Sequence, residues 1–276
     1  MDVPRADPIP PASWPPYPLA QPSQPNLYSA LGLIGLYFVL QLVIGAVVGL
    51  FAGLLTGTSR HGQNIATATS TVPAILVQAD VNALMVIITL IAAAGCILYL
   101  ARRLWPAMWP QSAPPGLGFA PPSSPSFYVA ALLIGVTMPI IGGLLTQFLA
   151  GGHAVTQDIK QLGADTSLRL RIPLALIVIS IGPLVEELLF RGALLSALLR
   201  RLHAGWATAL CALLFAAIHL PDLGFLWYAL PNLALLGAAL VWLRLRSGSI
   251  WPAVLAHGAN NMLAVLAWFV MAPPSS

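Results

Sequence analysis

Charged residues are scarce in this chain: Asp, Glu, Lys and Arg make up only 7% of its 276 residues. Soluble globular domains carry about a quarter charged residues, so the composition excludes an ordinary soluble domain. Hydrophobic residues take their place, at 58% of the chain and a mean hydropathy of +0.86. This composition is typical of a polytopic membrane protein that folds as one helical bundle.

Cysteine is scarce as well, since the chain contains only Cys96 and Cys211 and both fall in apolar runs. Their number and setting exclude a disulfide framework. The 12 basic residues give a formal net charge of +4, but they are dispersed near the ends of apolar segments. That distribution suits anionic lipid headgroups and argues against a nucleic-acid partner.

Residues 1–26 lack any helical pattern and contain nine prolines. A segment of this kind is expected to form an extended or disordered Pro-rich tail. It has no basic stretch followed at once by an apolar core, so we do not interpret it as a signal peptide.

Seven apolar segments follow, and each can be compared with the roughly 20 residues that cross a hydrocarbon core. They predict an all-α fold, a polytopic transmembrane helical bundle of about seven (six to eight) spans. Span five is short enough to be re-entrant. The predicted spans are Tyr28–Leu55, Val81–Ala101, Phe127–Ala150, Ile172–Leu199, Trp206–Leu220, Gly224–Leu243 and Ile250–Met271.

The connections divide this bundle into two parts. We predict a polar linker over Thr56–Gln78, a kink at Pro139 and a short interfacial helix within Gly151–Arg171. Residues 27–150 then form three amino-terminal spans, and residues 151–276 form a helical core that carries the polar groups.

Basic residues in the loops predict the orientation of the bundle. With seven spans, one side receives seven arginines and the other receives four basic residues. We therefore expect an integral protein of the cytoplasmic membrane, with its amino terminus in the cytoplasm. The seven arginines are Arg5, Arg102, Arg103, Arg200, Arg201, Arg244 and Arg246.

Polar side chains inside the spans are concentrated in the last hundred residues. An uncompensated charge at the centre of a membrane helix costs roughly 2.5–3.5 kcal/mol or more, so such residues predict a functional site. They are Glu186, Glu187 and Arg191 on span four, His219 at the end of span five, and His257, Asn260 and Asn261 on span seven.

Helical spacing separates the two adjacent glutamates. Glu187 and Arg191 are four residues apart, in the favourable order for an ion pair on one helix face. Glu186 lies about 140° round the helix from Arg191, so it cannot easily share that partner. We expect Glu187 to neutralise Arg191, while Glu186 points toward another helix.

The other two helices supply groups that could work with Glu186. Phe215 and His219 are four residues apart on span five, and so are His257 and Asn261 on span seven. A carboxylate beside an imidazole can deprotonate a bound water, which is general-base catalysis. A second imidazole and a carboxamide can stabilise the oxyanion that forms when water attacks a carbonyl.

Three motifs carry a resemblance to a known family. Glu186-Glu187-x-x-x-Arg191, Phe215-x-x-x-His219 and His257-x-x-x-Asn261 are similar to the signature of the CPBP intramembrane proteases. This family includes the type II CAAX prenyl endopeptidases and Abi-type bacterial relatives. The resemblance covers about Ile172–Met271, and residues 1–150 offer no motif.

The resemblance implies roles for these residues. Glu186 and His219 would activate the hydrolytic water, and His257 with Asn261 would form the oxyanion site. Glu187 and Arg191 would be supporting residues. Phe215 and Asn260 would also be supporting, although Asn260 is an alternative to Asn261.

The resemblance also implies a glutamate-dependent mechanism that requires no cofactor. The set Glu186, His219 and His257 could hold zinc with an open position. No His-Glu-x-x-His motif occurs, so the sequence leaves zinc open.

The predicted partners are membrane lipids and a peptide or protein substrate, which could be membrane-associated or lipidated. Two other functions compete with proteolysis. Acids and histidines inside a membrane also build the proton relays of transporters, but no internal repeat of broken helices is evident here. A non-catalytic membrane scaffold could keep the same residues for packing alone.

Overall fold

The computed structural model of the chain describes residues 23–60, 71–152 and 158–270, and these residues form an all-α bundle. Most of the predicted Pro-rich tail lies outside the described residues. The helices are α1 Leu27–Arg60, α2 Thr71–Leu104, α3 Ser126–Ala150, α4 Asp158–Asp165, α5 Leu168–Ile179, α6 Ile181–Glu187, α7 Leu195–Leu199, α8 Ala204–Ala217, α9 Leu230–Ser247 and α10 Trp251–Val270. A π-helical segment, Leu188–Leu194, joins α6 to α7.

Six stretches in the described part of the chain are long and apolar enough to cross a membrane. They confirm the prediction of a polytopic helical membrane protein. Helix α8 has 14 residues, about 21 Å, which is shorter than the hydrocarbon core. The six stretches are Leu27–Phe51, Ala79–Leu104, Ser126–Ala150, Leu168–Leu199, Trp227–Ser247 and Trp251–Val270.

The polar linker predicted over Thr56–Gln78 is partly wrong. Helix α1 continues to Arg60 and α2 begins at Thr71, while 61–70 lie outside the described residues. Pro73 falls in the first turn of α2, where a missing backbone N–H breaks no helical hydrogen bond. Hydropathy marks where a helix leaves the hydrocarbon core, whereas its backbone hydrogen bonds can continue beyond that point.

The boundary between spans five and six also differs from the prediction. Helix α8 ends at Ala217, three residues before the predicted end, and α9 begins only at Leu230 after a short 3₁₀ turn. Gly224 and Phe225 have φ angles of 58° and 61°, which no helix accommodates. This turn places His219 just beyond the end of α8 instead of inside it. The interfacial helix predicted within Gly151–Arg171 is present as α4.

One end of the bundle collects most of the arginines, and we call it the arginine end. Arg200 donates to the Pro25 carbonyl over 3.2 Å. The buried Arg244 donates to the Ser112 and Gly116 carbonyls over 2.6 and 2.7 Å. These contacts gather the start of α1, the connection before α3 and the ends of α7 and α9. That this end faces the cytoplasm stays a prediction.

Glycines bring α10 close to its neighbours at the centre of the bundle. A Cβ atom on Gly135 of α3 would lie 2.6 Å from the Ala256 carbonyl oxygen. A Cβ atom on Gly258 would lie 2.4 Å from the Ile179 carbonyl oxygen of α5. Small residues at such contacts let membrane helices pack backbone to backbone. Helix α10, which carries His257, is therefore held between α3 and α5.

Candidate active site

The predicted fourth span is a broken helix, and the break positions the glutamates. Helix α5 ends at Ile179, and Ser180 leaves the helical region with φ −127° and ψ −68°. Pro183 lacks the N–H that would bond to the Ile179 carbonyl, and its ring would clash with that group in a continuous helix. Helix α6 therefore starts anew at Ile181 and carries Glu186 and Glu187 in its last turn.

The Ile179 carbonyl that Pro183 leaves free faces the backbone of α10. Gly258 of α10 makes this close approach possible, because any side chain there would collide with the Ile179 carbonyl. The break in span four therefore packs directly against α10 at Gly258.

A π-helical segment follows directly after Glu187 and is entirely buried. The π form replaces the usual hydrogen bonds by wider ones and is frequent at functional sites. The Cys211 thiol of α8 donates a hydrogen bond to the Phe190 carbonyl of this segment over 3.4 Å. No sequence pattern predicted the segment.

Glu187 forms the ion pair that the four-residue spacing predicts. Arg191 Nη1 lies 3.0 Å from Glu187 Oε1, and both side chains are fully buried. Arg191 Nη2 also donates to the Gly237 carbonyl of α9 over 3.1 Å, and its guanidinium lies 4.3 Å from the centre of the Phe215 ring. The pair therefore connects the span-four helices to α8 and α9.

His257 is a further partner of Glu187, and sequence reasoning missed this contact. His257 Nδ1 lies 2.9 Å from the same oxygen, Glu187 Oε1. A carboxylate only accepts hydrogen bonds, so Nδ1 carries the proton in this contact. In the neutral ring, Nε2 is then an acceptor, and it lies 3.8 Å from Glu186 Oε2. Nothing in the sequence signals the contact, because the two residues are 70 positions apart.

His219 approaches Glu186 from the other side. Its Nε2 lies 3.7 Å from Glu186 Oε2, and its Nδ1 lies 2.8 Å from the Phe215 carbonyl. A carbonyl also only accepts, so His219 Nδ1 is the donor and Nε2 is again an acceptor in the neutral ring. Phe215 holds this arrangement, since its ring also packs against His257 with centroids 5.6 Å apart.

With both rings neutral, three acceptor atoms face one another: Glu186 Oε2, His219 Nε2 and His257 Nε2. The distances of 3.7 and 3.8 Å are longer than hydrogen bonds. Among the described residues, Glu186 Oε2 has no hydrogen-bond partner although it is buried. A buried carboxylate oxygen without a hydrogen-bond donor is energetically unfavourable. The separations between Glu186 Oε2 and the two Nε2 atoms are long enough for a water to bridge them.

The two asparagines of α10 have other hydrogen-bond partners. Asn261 Nδ2 donates to the Val178 carbonyl of α5 over 3.0 Å, and Asn260 Nδ2 donates to Asn261 Oδ1 over 3.3 Å. Within the described residues, no hydrogen bond joins either amide to Glu186, His219 or His257. Asn261 has a second N–H on Nδ2, which its contact with Val178 does not use.

The fit of a metal ion can be judged from the donor geometry. In the described part of the chain, no group of three His, Cys, Asp or Glu side chains is arranged to hold a metal ion. His257 Nδ1 is held by Glu187 and His219 Nδ1 by the Phe215 carbonyl, which leaves the two Nε2 atoms as the imidazole donors that a metal would use. Whether Glu186, His219 and His257 bind zinc stays a prediction that metal removal tests.

An apolar cavity of about 520 Å³ lies beside these helices. Its walls come from α3, from the break between α5 and α6, and from α10. Leu184 shares α6 with Glu186, and Gly258 adjoins His257. The lining is almost entirely apolar; Leu132 and Met262 are exposed at 48% and 43%, so the cavity opens at the outer surface of the bundle.

The comparisons with known proteins agree with the motifs. Residues 168–263 match the model of a family described as Rce1-like, type II CAAX prenyl endopeptidase. The matched stretch runs from the start of α5 into α10 and includes every candidate residue named above. Over this stretch the chain resembles the CAAX protease family, as the three motifs predicted. No curated protein and no solved structure matches the chain.

A double-mutant cycle tests whether the buried ion pair supports the site. Arg191→Met leaves the Glu187 carboxylate buried with one partner fewer, which is expected to lower the free energy of unfolding by about 3–5 kcal/mol. The double variant Glu187→Gln, Arg191→Met leaves no unpaired charge and should recover part of that loss. The measurement is chemical unfolding in detergent micelles.

Arg246→Met is the matched control, because Arg246 is exposed at the arginine end, and it should unfold like the wild type. The account of the pair is contradicted if Arg191→Met is as stable as the wild type. It is equally contradicted if the double variant loses the full sum of the two single losses.

Proposed function

We propose that this chain is an intramembrane endopeptidase in which Glu186 and His219 activate a water that hydrolyses a peptide bond. The observation that carries the proposal is the meeting of one carboxylate oxygen and two imidazole nitrogens in the centre of an apolar bundle. The similarity of residues 168–263 to the type II CAAX prenyl endopeptidases supports the reaction class, which is peptide hydrolysis at a membrane.

The three acceptor atoms define where the water would lie. A water bridging Glu186 Oε2 and His219 Nε2 donates one hydrogen to each. As its oxygen attacks the carbonyl carbon of the peptide, Glu186 takes the proton, and the carbonyl oxygen becomes an oxyanion. The C–N bond then breaks, the proton passes to the leaving nitrogen, and the products are a carboxylic acid and an amine.

Asn261 and His257 would stabilise the oxyanion. Asn261 keeps one N–H on the Val178 carbonyl and offers the other to the developing charge. His257 donates from Nε2 once that atom is protonated, while Glu187 holds the ring through Nδ1. Donors fixed before the reaction are worth more in a dry site than in water, because nothing has to reorient.

Glu187 and Arg191 act on this site through His257. The guanidinium neutralises Glu187, and Glu187 in turn fixes the orientation of the imidazole toward Glu186. Phe215 restrains both imidazoles by ring contacts. We assign these residues positioning roles, with no direct contact to the reacting atoms.

The apolar cavity favours a substrate that arrives from the lipid. It opens at the outer surface between α3 and α10, and an apolar chain carried by a membrane-associated or lipidated peptide could lie in it. The peptide bond would then approach Glu186 past α6 and α10. We propose the cytoplasmic membrane as the location, with the arginine end in the cytoplasm.

Replacing the proposed base tests the function. Cells that express the wild type should show new termini of membrane peptides or proteins, and cells that express Glu186→Gln should lose them at least about 100-fold. Glutamine keeps the size of the side chain but cannot take a proton. The measurement is quantitative mass spectrometry of peptide termini in membrane fractions.

Asp165→Asn is the matched control, because this carboxylate is exposed outside the spans and its loss should leave the new termini unchanged. Unchanged termini with Glu186→Gln would contradict the role of Glu186. No new termini with the wild type would contradict proteolysis itself and favour a transporter or a scaffold.

Metal removal tests the proposal that no cofactor is required. Because no step in the mechanism uses a metal, the purified protein should keep its full rate after dialysis against EDTA and 1,10-phenanthroline. The rate is followed as cleavage of a peptide taken from the terminus comparison. Loss of activity on chelation that zinc restores would contradict the metal-free mechanism.

A further inference from the structure

Tyr37 is a buried phenol on α1, a helix whose sequence carries no motif. Only 3% of the residue is exposed, and it belongs to the same packed cluster as Val185 and Leu188. Helix α1 packs against the π-helical segment that follows Glu187. The amino-terminal part of the chain therefore brings one polar side chain to the neighbourhood of the glutamates.

Depth in the bundle agrees with this placement. At about 1.5 Å per helical residue, Tyr37 lies roughly 15 Å along α1 from Leu27, and Glu186 lies roughly 20 Å before Leu199. Leu27 and Leu199 are both at the arginine end. The Glu186 carboxylate also acts electrostatically on the Tyr37 hydroxyl.

The hydroxyl and the site complement each other in hydrogen bonding. Within the described residues, no protein group forms a hydrogen bond with the Tyr37 hydroxyl, although a buried tyrosine usually has such a partner. Glu186 Oε2 is a buried acceptor that also has none among the described residues. In the resting site, with both rings neutral, His219 Nε2 and His257 Nε2 are acceptors too, so the site contains three acceptors and needs a donor.

We infer that Tyr37 is a positioning residue of the active site, whose hydroxyl orients the hydrolytic water against Glu186. This inference rests on the proposed function. The phenol O–H donates to the water oxygen, so both hydrogens of the water point toward Glu186 Oε2 and His219 Nε2. One lone pair of the water then remains for attack on the peptide carbonyl.

The inference gives the amino-terminal spans a part in the chemistry. Without the hydroxyl, the water keeps its two acceptors but loses the donor that fixes its rotation. Misplacement of a reacting group by about 1 Å lowers rates up to about 100-fold. Substrate binding should not change, because Tyr37 faces the water and not the peptide.

The test replaces Tyr37 by phenylalanine, which keeps the ring and its packing. The purified variants are compared on a quenched fluorescent peptide that carries a cleavage sequence found in the terminus comparison. Tyr37→Phe should lower kcat about 10- to 100-fold, with KM and the thermal unfolding temperature unchanged. Tyr28→Phe is the matched control on the same helix, since Tyr28 is 84% exposed, and it should behave like the wild type.

The outcomes separate this inference from the proposed function. If Glu186→Gln is inactive while Tyr37→Phe keeps the wild-type kcat, the role of Tyr37 is overturned and the proposed function stands. A loss in Tyr37→Phe that appears in KM or in thermal unfolding also overturns it, since that loss is structural. If Glu186→Gln retains the wild-type rate, the proposed function fails and the inference fails with it.

Discussion

The contact of Glu187 with Arg191 and His257 is the interaction on which the rest of the site depends. A lone carboxylate or guanidinium in the centre of an apolar bundle would be strongly unfavourable, and here each charge has its partner within 3.0 Å. The same carboxylate oxygen holds the imidazole, so charge compensation also fixes a histidine. Glu186, one residue earlier, is left to face the two Nε2 atoms.

The broken helix explains how two adjacent glutamates come to have different surroundings. Pro183 interrupts span four, and the π-helical segment that begins at Leu188, five residues later, changes its hydrogen bonding again. The short helix α6 is therefore positioned by its contacts with α2 and α10 as well as by its contacts with α5. Glycines at the α10 contact remove the side chains that would otherwise keep the backbones apart.

Sequence reasoning found the polar residues because inside a span they have no ordinary explanation. Spacing was sufficient to predict the ion pair of Glu187 and Arg191, since a separation of four residues on one helix places two side chains on one face. Three motifs in order were sufficient to predict the resemblance to the CAAX protease family. The contact between His257 and Glu187 could not be predicted in this way, because it depends on how two distant helices pack. The π-helical segment and the place of Tyr37 depend on packing for the same reason, and the ends of α1 and α2 lie beyond the hydrophobic runs that defined the spans.

The central claim is that Glu186 acts on a water and does not attack the peptide itself. Many turnovers in H₂¹⁸O, followed by mass spectrometry of the product and of the enzyme peptide that contains Glu186, test this directly. The account predicts one ¹⁸O atom in each new substrate carboxyl group and none in Glu186. Appearance of ¹⁸O in the Glu186 carboxylate would contradict the account, because it requires an anhydride between the enzyme and its substrate.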